Sequence, residues 1–134
     1  MEDATVSTTQ IQPITMATFA ELDQQLNDMI LQGKILEAFE KFYAEDVVME
    51  EGDQRREGKD ANREYEKQFV GALQEFRSAE IHSRAIDEEN RVTLSEWEND
   101  FTLEGVGDVI QKQVAVRTWN EDGQITNEKF YTLS

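Results

Sequence analysis

FRSAEIHSRAIDEENRVTLSEWENDFTLEGVGDVIQKQVAVRTWNEDGQITNEKFYT, residues 76–132, decides the fold. Its apolar residues recur with a period near two, the spacing of strands whose side chains alternate between two faces. Four extended segments can be read in it: Phe76 to Ile86, Arg91 to Leu103, Val109 to Trp119 and Gln124 to Thr132. The links are Asp87-Glu88-Glu89-Asn90, Glu104-Gly105-Val106-Gly107-Asp108 and Asn120-Glu121-Asp122-Gly123. Links this short join antiparallel neighbours, so a meander is expected.

Upstream the period changes to that of helices. Thr18-Phe19-Ala20-Glu21 has the form of a capping box, and Phe19, Leu22, Leu26, Met29 and Ile30 then share one helical face up to the stop signal at Gly33. Ile35, Leu36, Phe39, Phe42 and Tyr43 give a second short helix, and Val47-Val48-Met49 a brief strand ending near Gly52. Asp53 to Lys59 reads as polar loop. A third helix is expected from about Asp60, with Ala61, Tyr65, Phe69, Ala72 and Leu73 on its apolar face. Residues 1–15, polar and holding the only proline, Pro13, read as an extended arm, and Met16 as an alternative start; residues 16–134 form the domain. Helices first and strands after imply an α+β domain: a cone-shaped, curved, mainly antiparallel sheet wrapped around the N-terminal helices.

Bulk composition narrows the function classes. The chain has 134 residues, the size of one domain, and no cysteine, which removes disulfides, thiolate nucleophiles and thiolate metal sites. Its net charge of −16 repels phosphate backbones and anionic lipid, so neither nucleic acid nor membrane is an expected partner. No apolar run is long enough to span a bilayer and the first residues lack the basic, apolar pattern of a signal peptide, so a cytoplasmic setting is expected.

The element order and three local words, Phe42-Tyr43-Ala44-Glu45-Asp46-Val47-Val48-Met49, Gly58-Lys59-Asp60-Ala61 and Trp119-Asn120-Glu121-Asp122-Gly123-Gln124-Ile125, resemble the nuclear-transport-factor-2-like superfamily and, within it, the SnoaL-like proteins. The resemblance covers roughly residues 17 to 132 and implies the cystatin-like α+β roll with a pocket between helices and sheet. The outward parity of the Val109 to Trp119 segment holds Ile110, Val114 and Val116, an apolar face that a second copy would cover, so a homodimer through the outer sheet face is expected, as in many relatives. The superfamily includes steroid isomerases, polyketide cyclases, epoxide hydrolases, transport adaptors and domains without known activity, so fold does not name function. In its ketosteroid isomerase branch a carboxylate base follows the first strand, a position that falls on Glu51. The two oxyanion donors of that branch fall on Leu26 and Ala115. Losing one such donor costs about 10²–10³ in rate, so steroid isomerase activity of that type is not expected.

Glu51 and His82 are the candidate catalytic residues. A glutamate among apolar neighbours such as Met49 can act as a general base, or stand as a solvated turn carboxylate beside Glu50 and Gly52. His82, the only histidine, can act near neutral pH if it enters the pocket, but Glu80, His82 and Arg84 share a parity that looks like an exposed face. Gln113, Arg117 and Trp119 share the parity of Ala115, the concave one by the resemblance. Arg117 there either binds an anionic ligand group or pairs with an inward acid. Trp97, Asn99 and Phe101 are expected to face inward and Glu96, Glu98 and Asp100 outward, unless a bulge flips the parity. Trp97, Asn99, Gln113, Arg117, Trp119 and Tyr65 are thus the candidate ligand-binding residues. Strand acids without a glycine-containing loop are not a calcium pattern, and no zinc, Walker or dinucleotide motif occurs, so neither metal nor cofactor is expected. The sequence points to a pocket protein that binds, and in a catalytic version transforms by metal-free isomerase-, cyclase- or hydrolase-like acid–base chemistry, a small apolar carbonyl-type ligand. The competing reading is a non-catalytic dimeric interaction module.

Overall fold

The structure is a computed structural model that describes residues 18–133. The arm expected over residues 1–15, and Met16 with it, lie outside the described residues. The elements are α1 (Phe19–Leu31), α2 (Ile35–Phe42), β1 (Tyr43–Glu51), β2 (Gln54–Glu57), α3 (Lys59–Ala72), β3 (Leu73–Asp87), β4 (Val92–Leu103), β5 (Gly107–Trp119) and β6 (Ile125–Leu133). They form the expected α+β architecture of three helices and a curved, unclosed, mainly antiparallel sheet. No helix among the described residues is long and apolar enough to cross a membrane.

Local chemistry sets the first helix. Thr18 Oγ1 accepts from the Glu21 amide and the Glu21 carboxylate accepts from the Thr18 amide, which closes the capping box. This satisfies amide donors that the first turn leaves without intrahelical partners. The stripe that follows places Leu26 at the centre of a core with Phe39, Phe42, Val47, Met49, Trp119 and Ile125. Phe19, Leu22, Met29 and Ile30 pack against its edge.

Strand order is β2-β1-β6-β5-β4-β3, so the meander β3–β6 is continued by the N-terminal strand. β1 joins β6 in parallel, whereas every other pairing is antiparallel. Part of the expected loop Asp53–Lys59 is the strand β2, paired with β1 from Val48↔Glu57 to Glu51↔Gln54. Its sequence, Gln54-Arg55-Arg56-Glu57, has no apolar alternation to betray a strand. Pairing to β1 makes it one, and its charges suit a sheet edge.

The strand parities on β4 and β5 follow the expected alternation, with Thr93, Ser95, Trp97 and Phe101 buried on β4 and Ala115, Arg117 and Trp119 buried on β5. On β3 the parity breaks. A register shift between Ile81 and Ser83 turns Arg84 away from the expected outer face, and its guanidinium reaches buried Asp23 Oδ2 at 3.2 Å. Re-aiming a side chain is the ordinary consequence of a bulge.

The β5–β6 turn closes against α1. Gly123 has φ +78°, and a Cβ there would stand 2.8 Å from Leu22 Cδ1. Gly123→Ala therefore adds left-handed strain of about 1–2 kcal/mol to a clash with the core edge. The expected outcome is a loss of about 1–3 kcal/mol in urea unfolding; an unchanged midpoint would contradict this packing.

Candidate functional site

Five elements, α1, β1, β4, β5 and β6, meet at a buried charged cluster centred on Arg117. Its Nε donates to Glu128 Oε2 at 2.8 Å, and its Nη1 donates to Asp23 Oδ1 at 2.9 Å and Asn27 Oδ1 at 2.7 Å. Tyr43 Oη donates to the second oxygen of Glu128 at 2.6 Å. Asp23 also accepts from Thr93 Oγ1 at 2.8 Å and from Asn27 Nδ2 at 3.3 Å. Asp23, Asn27 and Glu128 are 0% exposed and Arg117 is 2% exposed. Burial pulls the Arg117 pKa down, but Glu128, Tyr43 and Asp23 outweigh it and hold the guanidinium charged. Burial, and then the Glu128 charge, pushes the Tyr43 hydroxyl well above its usual range. Of the two roles open to Arg117 from sequence, the structure gives it the internal bridge.

Arg117, Glu128 and Tyr43 form one end of a cavity between the sheet and α3. Its volume is about 170 Å³, with large rings filling much of the space between helices and sheet. Phe69 of α3 meets Phe101 of β4 edge to face at 5.6 Å, and Trp97 lies on the same sheet wall. Tyr65 carries the Arg56 guanidinium over its ring at 3.6 Å. Burial and the nearby Glu51 charge raise the Tyr65 pKa.

The most unusual group in the cavity is Glu66, on α3. Its carboxyl makes no hydrogen bond or ion pair with any described residue, and its pKa is raised from 4.5 to about 7. Burial is the main cause, followed by the charges of Glu128 and Glu51, with Arg56 opposing. A carboxylic acid that is half protonated at neutral pH can donate as well as accept a proton.

The sequence-derived candidates separate into two groups. Glu51, Tyr65, Trp97, Asn99, Gln113 and Arg117 all line this cavity. His82 and Trp119 do not. His82 is on the outer face of β3, where Nε2 lies 2.9 Å from Glu98 Oε1 and the imidazole pKa is raised by that bond. Trp119 is core: its indole Nε1 donates to Thr93 Oγ1 at 3.0 Å and Phe42 packs on it edge to face. Leu26 and Ala115, at the positions where the isomerase branch has its donors, are both fully buried apolar residues. Glu66, Glu128, Asp23, Tyr43 and Gln111 had no place among the sequence candidates. Asp23 carried a usable signal, since it stands four residues after Phe19 and three before Leu26, on the buried face of α1. Among the described residues, three donor groups suited to a metal ion converge only at Glu80, His82 and Glu98, within 4.8 Å of one another on the outer sheet face and away from the cavity.

A family model for the SnoaL-like domain matches residues 24–128, and the chain belongs to that family. None of the curated protein sequences compared with it matches. Among solved structures it is similar to a candidate SnoaL-like polyketide cyclase from Mesorhizobium loti, at 24% identity and TM-score 0.67 over 86% of this chain and 99% of that one. An LEH-like epoxide hydrolase from M. tuberculosis superposes with TM-score 0.69 at 19% identity, covering 86% of this chain and 82% of the other. SalBIII, an epoxide hydrolase/cyclase-like enzyme with a role in pyran ring formation in the polyether salinomycin, gives TM-score 0.70 at 21% identity over 86% and 90%. At these identities the structures establish the shared fold.

Removing the centre of the buried cluster leaves Glu128 with no cationic partner among the described residues, and Asp23 with only the partly exposed Arg84. Arg117→Leu is expected to cost about 3–5 kcal/mol in chemical denaturation, and Arg117→Lys to restore little, because an ammonium cannot fork between two carboxylates. A loss below about 1 kcal/mol, the range of a surface pair, would contradict the cluster. Glu66 predicts a pH dependence. Its folded pKa exceeds the unfolded value, so the native state holds the proton more tightly, and its contribution to stability is full below 4.5 and falls as pH rises toward about 7. Glu66→Gln should remove that slope and stabilise the domain relative to the parent above pH 7; parallel pH–stability curves for the two proteins would contradict the shift.

Proposed function

We propose that this SnoaL-like domain binds a small, neutral, mainly apolar ligand with a carbonyl-type oxygen and acts on it by acid–base chemistry. Glu66 is the proton donor and Glu51 the base. One observation carries the reading: an acidic group with pKa near 7, without a partner among the described residues, opens onto an aromatic cavity that a second carboxylate also lines. The protonated Glu66 donates to the ligand oxygen. Glu51 takes a proton from the carbon beside the carbonyl, the electron pair moves onto the oxygen, and Glu66 stabilises the charge that develops there. Return of the proton to another carbon completes an isomerisation; capture of an electrophilic carbon elsewhere in the same ligand completes a cyclisation.

Size and charge narrow the ligand. A cavity of about 170 Å³ is close to the ~150 Å³ that accommodates a benzene ring, and below the ~300–1,000 Å³ of drug-sized sites. A single substituted ring suits it and a four-ring steroid does not. Anionic ligands are disfavoured, since Arg117 is engaged by Asp23 and Glu128 and two further glutamates line the space. The names of its structural relatives, epoxide hydrolase and polyketide cyclase among them, support a neutral oxygen-bearing ligand. The space of about 170 Å³ that remains between the rings favours this reading over the interaction module, for which a collapsed pocket and an exposed apolar groove are expected.

The outer sheet face supports one further part of the proposal, a homodimer. Ile110 is 65% exposed and Tyr131 54% exposed, and Val114 pairs with Tyr131 across the strands. A second copy is a natural cover for this surface. Sedimentation at micromolar concentration should return twice the 15.5 kDa chain mass, and Ile110→Asp should shift it toward monomer; a monomer throughout would rule the dimer out.

A thermal-shift screen with monocyclic ketones and lactones tests the site. A ligand at 100 times its Kd stabilises by about 2.7 kcal/mol, and each kcal/mol raises Tm by about 3–6 °C for a domain of this size. Binding should weaken by up to about tenfold per pH unit above 7 as Glu66 ionises. Glu66→Gln, which keeps an N–H donor, should bind with little pH dependence. No shift from either ligand class would remove the proposal.

A further inference from the structure

The sheet wall of the cavity carries three amide side chains that neither the buried cluster nor the acid–base pair uses. Asn99 of β4 stands opposite Gln111 of β5, and Gln113 stands opposite Trp97 in the same register, so all three project on the concave face. Three amides present six N–H donors and three carbonyl acceptors. Among the described residues they make one side-chain hydrogen bond, from Asn99 Nδ2 to Gln111 Oε1, and its length of 3.4 Å is at the limit for such a bond. Gln113 makes none with its side chain to any described residue. Each is half-buried on a wall that also carries Trp97 and Phe101. Strand positions facing an aromatic interior ordinarily take apolar residues, and polar capacity at such positions is ordinarily matched by a partner. Three amides on adjacent strands thus form a polar strip on an otherwise aromatic wall, with hydrogen-bonding capacity that the described residues leave largely free.

We infer that Asn99, Gln111 and Gln113 form a second polar subsite, and that the ligand is two-ended: a ring with a carbonyl-type oxygen for Glu66 and a hydroxyl for the amides. The inference rests on the proposed function for the first of these ends and adds the second. Glu66 reaches the cavity from α3, whereas the amides belong to β4 and β5, so a ring between helix and sheet presents its two substituents to different walls. A hydroxyl suits the subsite because it donates and accepts at once, and an amide offers both complements. A carboxylate does not, because the cavity already holds Glu51, Glu66 and Glu128. The subsite sets specificity and takes no part in proton transfer.

Cyclohexanone and 4-hydroxycyclohexanone distinguish the ends. Their affinities for the parent protein and for Gln113→Met are measured by calorimetry at pH 6, with Gln111→Met as a second variant should the first fold poorly. The hydroxy-ketone is expected to bind the parent about five- to tenfold more tightly than cyclohexanone, the worth of one or two neutral hydrogen bonds. That advantage, read as the ratio of the two affinities within each protein, should vanish in the methionine variants. Equal affinity of the two compounds for the parent overturns the subsite and leaves the acid–base reading standing. An advantage that survives in both variants also overturns it, because the hydroxyl is then read elsewhere. Failure of both compounds to bind overturns the subsite and the proposed ligand class together.

Discussion

The structure depends on one buried arrangement, the fork of Arg117 between Asp23 and Glu128. It joins the first helix to two central strands that are distant in sequence, and through Tyr43 it reaches the strand that enters the sheet in parallel. Taking three charges out of water is costly, and the geometry offsets this only because each oxygen and most donors are matched. Thr93 and Asn27 complete Asp23, and Tyr43 completes Glu128. A cluster of this kind makes the position of α1 over the sheet specific, since a small slip would strand a charge in the core.

The same cluster shapes the chemistry of the cavity. Glu128 faces both the guanidinium and the open space, so its charge contributes to raising the pKa of Glu66. The main cause is burial of the carboxyl in the cavity wall, to which the Glu128 and Glu51 charges add. Structural and functional parts are therefore not separable here. The fork that secures the fold also supplies part of the field that raises the Glu66 pKa.

Much of the fold was legible because its signals are periodic. The capping box at Thr18 and Glu21, the stripe through Leu26 and the alternation from Trp97 to Phe101 each reflect a spacing that geometry imposes. β2 was not legible, because Gln54 to Glu57 owe their strand to pairing with β1 rather than to pattern. The bulge at Ile81–Ser83 was equally silent, and it decides that Arg84 points inward to Asp23 while His82 stays on the outer face with Glu98. The cavity residues on strands could be named from parity alone. Glu66 could not: it follows Tyr65 on α3, and a charge beside an apolar stripe is usually solvated. Its inward aim depends on the tilt of α3 over the sheet, which is a tertiary property. Trp119 shows the opposite error, since shared parity with Gln113 put it on the right face but did not distinguish core from cavity.

The cavity holds a carboxylic acid whose pKa is raised from 4.5 to about 7. Carbon-13 NMR of the glutamate side-chain carboxyls, followed through a pH titration and assigned to Glu66 by comparison with Glu66→Gln, measures this directly. One carboxyl titrating near 7 is the predicted result. A Glu66 resonance that titrates near 4.5, with the solvated glutamates, would contradict it.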